Sequence, residues 1–367
     1  FIQIGMLPLI IYFQYEAPAF SFLANVAAVP LATCAFTLAF LLIFLPYTVF
    51  HEAISWMIQG VLWISRQSYG MLTIGHVPFL WVLLFYFMTG LWIWKKNGQN
   101  RHIRISLAYV IMIILIWIPM ARRKSLAFLD VGQGDCFVAD TKSGAIIFDG
   151  GSSSEDQVGR YRILPYMKYL GYQKIQIAVI SHMDIDHYSG IKELLEMGKI
   201  KYLGLPEIPK DATMKKIIGI AKKRGTTIFY LSRGRQITTK DGSLKVLHPQ
   251  KNSQMEKNAA SLVMQGKILG YRVLLTGDVE KEGEEELLSE ELERADILKA
   301  AHHGSKNSTS NEFLQKVQPK QTVISCGKQN RYGHPHLETI HRLQTYRTKI
   351  YRTDRSGAII FFKRRDG

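Results

Sequence analysis

The sequence predicts a layered α/β domain preceded by membrane-spanning α-helices. Three observations carry this reading. The first third of the 367 residues is almost continuously apolar. From Ser125 onward the pattern changes to short β-rich runs alternating with helical stretches. Those strands end repeatedly on Asp or His, so that ligands gathered at strand ends converge on one edge of a sheet. The expected division is residues 1–124, a transmembrane helical region, and residues 125–367, a hydrolase-type domain.

A bilayer span needs about 20 apolar residues. Three stretches qualify: Asn25 to Phe50, Met71 to Trp94 and Ile103 to Met120. The opening FIQIGMLPLIIYF reads as the tail of a further span. With no initiator Met and no signal-peptide pattern before it, the chain reads as part of something longer. Between the first two spans, Ile54, Met57, Ile58, Val61 and Leu62 recur at helical spacing opposite His51, Glu52, Ser55, Gln59 and Arg66. That pattern predicts a helix lying in the membrane interface. Glu16 and Pro30 interrupt apolar surroundings, where charges and kinks are often functional. For orientation, Lys95, Lys96, Arg101 and Arg104 favour a cytoplasmic loop, against Arg122, Arg123 and Lys124 on the other side of the last span. The balance predicts a multi-pass protein of the cell membrane with its second domain on the extracytoplasmic side.

In the second part SLAFLDVG, AIIFDGG, IQIAVISH, SLKVLHP, YRVLLTGD, QTVISCG and SGAIIFFK read as strands. Residues 186–197, 211–224, 280–292 and 335–346 read as helices. The net charge is +16, of which residues 125–367 carry +10. A domain basic in its own right favours polyanionic partners, nucleic acid or an anionic membrane surface, although charge also serves solubility. Cys34, Cys136 and Cys326 cannot make a disulfide framework.

SHMDIDHYSG at 181–190 is the most informative segment. A strand feeds directly into His182, Asp184, Asp186 and His187, four residues of metal-ligand type within six positions. Such a turn points His182 and Asp184 one way and Asp186 and His187 another, so one loop can serve two metal ions. Further ligands must come from elsewhere. Asp278 ends YRVLLTGD, where its carboxylate can bridge both ions; His302 and His303 follow DILKAA; His334 and His336 lie in RYGHPH.

SHMDIDH resembles the H-x-H-x-D-H signature of the metallo-β-lactamase fold, and LLTGD resembles its bridging-aspartate motif. With FLDVGQGD, IIFDGG, NAASLV, AAHHGS and GHPH, and with NVAAVPL in the apolar third, the chain is similar to the ComEC family of DNA internalization competence proteins. The resemblance implies an αββα sandwich after the end of a membrane channel region, and a DNA-directed hydrolase. Two departures matter: Asp184 stands at the signature's second histidine, and the usual third-motif histidine has no match. His248, the one His in that interval, is expected to be structural.

On this basis His182, Asp184, Asp278 and His303 are assigned to one divalent ion, and Asp186, His187, Asp278 and His334 to the other. His302 is placed near the scissile group, its choice over His303 being open. Asp186, His302 and Asp149 are the catalytic candidates, Asp149 as the group that orients a ligand or water. Asp130, Gln133 and Asp135 are expected at the rim, and Asn258 and Ser261 as turn residues or pocket contacts. A carboxylate in place of an imidazole tilts the metal from Zn2+ towards Mn2+.

Such a pair suits displacement at phosphorus. Lys215, Lys216, Lys222, Lys223, Arg224, Arg233 and Arg235 form a basic cluster able to follow a phosphate backbone, though it also reads as a solvated helix face. The expected activity is a deoxyribonuclease or phosphodiesterase degrading the strand that is not imported. The expected partners are single-stranded DNA, the membrane and other DNA-uptake proteins, a small-molecule substrate being disfavoured. The rival readings are a non-enzymatic channel subunit and a metallo-hydrolase of another class, such as a phosphorylcholine esterase.

Overall fold

The computed structural model describes residues 2–18, 21–44, 48–66, 70–94, 103, 106, 107, 110, 123–255, 258–290 and 292–364. The chain divides into two compact units, Phe1–Met120 and Ala121–Gly367.

The first unit contains α1 (Ile2–Gln14), β1 (Glu16–Pro18), α2 (Ser21–Leu41), α3 (Thr48–Arg66), β2 (Met71–Thr73) and α4 (Phe79–Trp94). Among the described residues one helix is long and apolar enough to cross a membrane, in the window Ala24–Leu41 of α2. The first expected span therefore stops at Leu41 instead of running on to Phe50. The second, Met71 to Trp94, is helical only from Phe79 and has 16 residues. Gly70 and Gly75, both at positive φ, turn the chain before Pro78, and Met71–Thr73 pairs antiparallel with Glu16–Pro18. Glu16 is buried in this ribbon and accepts a hydrogen bond from Thr73 Oγ1 at 3.3 Å. The third expected span lies outside the described residues apart from positions 103, 106, 107 and 110. The apolar stripe of α3 does not face outward alone: Ile54, Ile58, Val61 and Leu62 line a groove with Ala32, Ala35, Phe36 and Ala39 of α2. Trp56 and Trp63 stay exposed.

The second unit has two seven-stranded sheets. The first takes β3 (Ser125–Phe128), β4 (Phe137–Thr141), β5 (Gly144–Phe148), β6 (Ile175–Val179), β7 (Ile200–Pro206) and β8 (Thr227–Leu231), with β16 (Ile359–Phe362) at the edge beside β3. The second runs in sequence order from β9 (Gln236–Thr239), β10 (Gly242–His248), β11 (Val263–Ile268) and β12 (Tyr271–Leu275) to β13 (Ile297–Lys299), β14 (Gln321–Ile324) and β15 (Lys349–Arg352). Each sheet starts antiparallel and continues parallel, the switch falling after β5 in one and β12 in the other.

Helices cover the outer faces. On the first sheet lie α5 (Leu164–Tyr169), α6 (Ile185–Glu196) and α7 (Ala212–Lys223), which bury Met167, Ile191, Leu194, Leu195, Met214 and Ile217 against Val138, Ile147 and Leu203. On the second lie α8 (Lys281–Leu288), α9 (Asn311–Val317) and α10 (Leu337–Thr345), burying Leu287, Phe313, Leu314 and Leu343 against Leu274 and Leu298. Between the sheets, Phe128, Phe137, Ile146 and Val179 meet Val246, Met264, Val273 and Val323. The layers are thus helix, sheet, sheet, helix. Because β3 and β13 are hidden on both faces, Leu126–Phe128 and Ile297–Leu298 are apolar at successive positions and do not alternate.

Candidate metal centre

The carboxyl ends of the parallel strands from both sheets open onto one cleft of about 270 Å³. From the first sheet, β5 leads to Asp149 and β6 leads through Ser181 to His182 and the start of α6. From the second, β12 leads to Asp278, β13 to His302 and His303, and β14 to Ser325. Gln133, Asp184, Asp186, Asp278, His302, His303, Tyr332 and His334 line the cleft.

The loop after β6 places four Asp and His side chains within six residues, and its backbone shows how. Asp184 is the N-cap of α6 with an extended backbone, yet its carboxylate makes no capping bond. It faces His182 instead, Oδ2 lying 3.6 Å from Nε2. Gly151 lets the β5 turn press onto the start of α6, where a Cβ would stand 2.5 Å from backbone atoms of Ile185, Asp186 and His187. Asp186 then sits in the helix's first turn, and His187 is fully buried.

Asp278 is the convergence point. Its Oδ2 lies 3.1 Å from His187 Nε2, 3.4 Å from His303 Nε2 and 3.8 Å from His302 Nε2. Asp186 Oδ2 is also 3.4 Å from His303 Nε2. Behind the two buried imidazoles, the Nδ1 atoms have their own partners. His187 Nδ1 lies 3.0 Å from Asp149 Oδ2, while Asp149 Oδ1 accepts the Ser181 N–H at 2.7 Å. His303 Nδ1 lies 2.9 Å from the Ser325 carbonyl. Asp149 therefore acts by orienting His187, and it reaches that place through a left-handed backbone, φ 58°.

The HHG turn separates its histidines. His302 and His303 both have positive φ, 47° and 53°, followed by Gly304 at 83°, a backbone that costs on the order of 1–3 kcal/mol per non-glycine residue and persists where surroundings enforce it. The result sends His303 into the interior, while His302 remains part-exposed at the mouth with Nδ1 2.8 Å from Glu280 Oε1. His334 stands further out, its ring centroid 6.1 Å from that of His303, and Asn330 brackets its backbone at both N–H and carbonyl.

Burial works against charge on His187 and His303, but Asp278, with Asp149 beside one ring and Asp135 beside the other, lifts both imidazoles well above their ordinary value. Against the same burial, these imidazoles hold Asp278 well below the carboxylate range. His334 goes the other way: burial and the neighbouring His303 and His302 bring it down to about 4. The centre thus contains acceptor atoms that attract positive charge strongly and one peripheral imidazole kept neutral.

Whether divalent ions fit can be judged from unpartnered atoms. His182 Nε2, His187 Nε2, His303 Nε2, Asp278 Oδ1 and His334 Nδ1 are buried without a hydrogen bond, which is costly unless something else joins them. Imidazole nitrogens and carboxylate oxygens arranged this way suit a divalent metal ion. One atom of each of Asp135, His187, Asp278 and His303 falls within 4.8 Å of the others. Asp135, however, lies on the Nδ1 side of the rings, 3.4 Å from His303 Nδ1 and 3.8 Å from His187 Nδ1. It meets the two imidazoles on the side opposite the Nε2 atoms that face Asp278.

Several participants are not evident from residue type and spacing. Asp135, expected at the rim, is buried in the interior, and Lys299, paired with it, is absent from the expected set. The signal for Lys299 is a lone cation inside the apolar run ADILKAA. Glu280 and Ser325 leave no signal, since each acts only through contacts far apart in sequence. Ser261 takes the Asp278 N–H at 3.3 Å on its Oγ. His248 is buried beside Ala259, its Nε2 2.7 Å from that carbonyl, and so fixes the loop before β11. In the basic cluster, Lys215, Lys216, Lys222, Lys223 and Arg224 are exposed on α7 and just after it, with Arg235 exposed as well. Arg233 is not available to a phosphate: its guanidinium holds Glu286 at 2.9 Å and Glu290 at 2.8 Å.

Comparison with known proteins bears on both units. The family model described as Metallo-beta-lactamase superfamily matches residues 129–328, and that described as Competence protein matches residues 1–99. The chain is 31% identical to ComE operon protein 3 of Bacillus subtilis over 400 residues, 100% of this chain and 51% of that protein. It is 31% identical to Competence protein ComA of Neisseria gonorrhoeae over 245 residues, 65% of this chain and 32% of that one. The metallo-β-lactamase-fold protein YhfI from Bacillus subtilis is 13% identical, with 64% of this chain and 99% of that chain covered and a TM-score of 0.45. The chain spans about half the length, or less, of these curated relatives. With the matched family covering more than half of its residues, the chain belongs to the metallo-beta-lactamase superfamily, and residues 1–99 ahead of that domain match the model described as Competence protein.

Proposed function

We propose that the chain is part of a DNA-uptake protein whose second domain, residues 125–367, hydrolyses DNA phosphodiesters with two divalent ions, Mn2+ or Zn2+. The observation that carries the reading is the convergence of His187 and His303 Nε2, buried without a hydrogen bond, on the Asp278 carboxylate at the ends of both sheets. The ligand assignment is His182, Asp184, Asp278 and His303 for one ion, and Asp186, His187, Asp278 and His334 for the other. Ions held there would supply Lewis acidity towards phosphoryl oxygens. The remaining chemistry belongs to the chain. His302, part-exposed and 2.8 Å from Glu280 Oε1 through Nδ1, would move a proton at the leaving oxygen. Asp149 keeps His187 in one ring orientation, and Asp186 holds its carboxylate beside His303 at the floor.

DNA is favoured over a small substrate by the exposed lysines of α7 and by the competence relatives. The strand degraded is, on this reading, the one not imported. The first unit anchors the chain in the cell membrane as part of a multi-pass channel region, with the hydrolase domain outside the cytoplasm.

The test is cleavage of single- and double-stranded DNA by the full chain in detergent, with Mn2+, Zn2+ or chelator. A His182→Ala, Asp186→Ala variant is measured alongside. Cleavage that needs the ion, and that falls in the variant by more than the roughly 10–100-fold typical of losing a ligand-orienting group, is expected. Hydrolysis of bis(p-nitrophenyl) phosphate with DNA left intact would instead identify an esterase of small diesters. Ion binding with no cleavage of either would leave a non-enzymatic channel subunit.

A further inference from the structure

Beneath the cleft lies a cation that the proposed hydrolysis does not use. Lys299 ends β13, a strand buried on both faces, and its side chain is 5% exposed. A lone ammonium there would be untenable. Its Nζ pairs closely with Asp135, donates to the Gly277 carbonyl at 3.1 Å and lies 3.6 Å from Asp278 Oδ1.

The two partners belong to opposite halves of the centre. Asp135 comes from the β3–β4 turn of the first sheet. Its N–H donates to the Asp186 carbonyl at 3.0 Å, and its own carbonyl accepts the Gly151 N–H at 3.1 Å. Lys299 comes from the second sheet, beside the strand that carries Asp278. Their ion pair therefore joins the loop holding Asp186 and His187 to the strand ends holding Asp278 and His303. It does so from behind, where Asp135 also faces both Nδ1 atoms.

We infer that Lys299 is a resident cation of the centre: paired with Asp135, it holds the ligands of the two sheets together before any ion arrives, and its charge limits the affinity of the ion that does. Lys299 is thus a positioning residue. The electrostatics give the sign. A fixed positive charge 3.6 Å from a ligand carboxylate raises the energy of every further cation placed on that carboxylate. Removing it leaves Asp135, Asp149, Asp186 and Asp278 with one positive charge fewer.

The inference rests on the ion-binding reading of the cleft. It is tested by titrating the metal-free full chain in detergent with Mn2+ by calorimetry, with thermal unfolding recorded before and after. Lys299→Met is expected to bind Mn2+ about tenfold tighter or more, to melt lower without the ion, and to gain more on its addition. Adding Asp135→Asn restores the charge balance and is expected to return the affinity to within about threefold of the unsubstituted chain. Lys299→Met that binds as the unsubstituted chain does, or more weakly, overturns the inference, since a cavity alone would loosen the ligands. If Lys299→Met folds only with Mn2+, the resident-cation role is supported. If it folds in neither condition, the double variant decides: folding with restored affinity supports the inference, and anything else overturns it. Failure of the unsubstituted chain to bind Mn2+ would sink the ion-binding reading itself, and this inference with it.

Discussion

Asp149 and Asp135 are both buried carboxylates, Asp149 against the Nδ1 side of His187 and Asp135 against that side of both His187 and His303, but they do different work. Asp149 uses one oxygen on a backbone N–H and the other on His187 Nδ1, so Asp149→Asn keeps the shape and loses the anion that orients the ring. Mn2+ affinity measured by calorimetry should fall about 10–100-fold in this variant, with melting of the metal-free chain little changed. Asp135 instead balances Lys299. Although burial opposes ionisation, Lys299 and then His303 bring its pKa down from 3.8 to about 2. A carboxylate depressed on folding contributes stability that is present above about pH 4 and lost as pH falls towards 2. Asp135→Asn should cost about 3–5 kcal/mol near neutrality, because it strands a buried ammonium. The difference from the unsubstituted chain should then narrow between pH 4 and pH 2 in urea unfolding followed by circular dichroism. A gap that stays constant across that window would show that the pair does not carry this stability.

At the scale of elements, the centre depends on how tightly the β5 turn meets α6. A Cβ on Gly151 would meet backbone atoms of Ile185, Asp186 and His187, with no flexible side-chain end among them able to move away. Gly151→Ala must therefore shift the helix that carries Asp186 and His187, at a cost of about 1–3 kcal/mol, together with weaker Mn2+ binding. Gly219, inside α7, has nothing within 4 Å of the point where a Cβ would stand, and Gly219→Ala should stabilise by about 0.5–1 kcal/mol through helix propensity alone. Thermal unfolding of the two variants side by side separates close approach from backbone entropy. The capping of α7 by Asp211, which accepts the Met214 N–H at 2.7 Å, and of α9 by Ser310 through Phe313 N–H at 3.2 Å, follows local rules legible in sequence. The HHG turn does not, because nothing local favours two consecutive left-handed histidines.

For the whole molecule, charge is the property that bears on partners. Residues 125–367 carry +10 of the net charge, and on α7 Lys222 and Lys223 are exposed while Arg233 is spent on Glu286 and Glu290. Lys222→Gln with Lys223→Gln should weaken DNA binding and flatten its dependence on salt, the log–log slope falling by up to roughly 0.7–0.9 per lost phosphate contact. Arg233→Gln should leave that slope alone and lower the melting temperature. Fluorescence anisotropy across a salt series distinguishes the two. An unchanged slope in the lysine variant would place the DNA path elsewhere on the domain.

The sequence by itself determined the αββα architecture, since strand and helix periodicity, glycine turns and apolar runs are local signals that packing then confirms. It also brought His182, Asp184, Asp186 and His187 into view, because one short loop holds all four. It could not show that Met71–Thr73 would leave its apolar run to pair with Glu16–Pro18, because strand pairing across more than fifty residues is a matter of which backbone groups lack partners. Tertiary structure alone decided that His303 turns inward while His302 stays at the mouth, since one strained turn sets the direction of both. It alone placed Asp135 behind His187 and His303 and Lys299 against it, because an ion pair between two sheets exists only once their inner faces meet, and burial then makes each charge require the other.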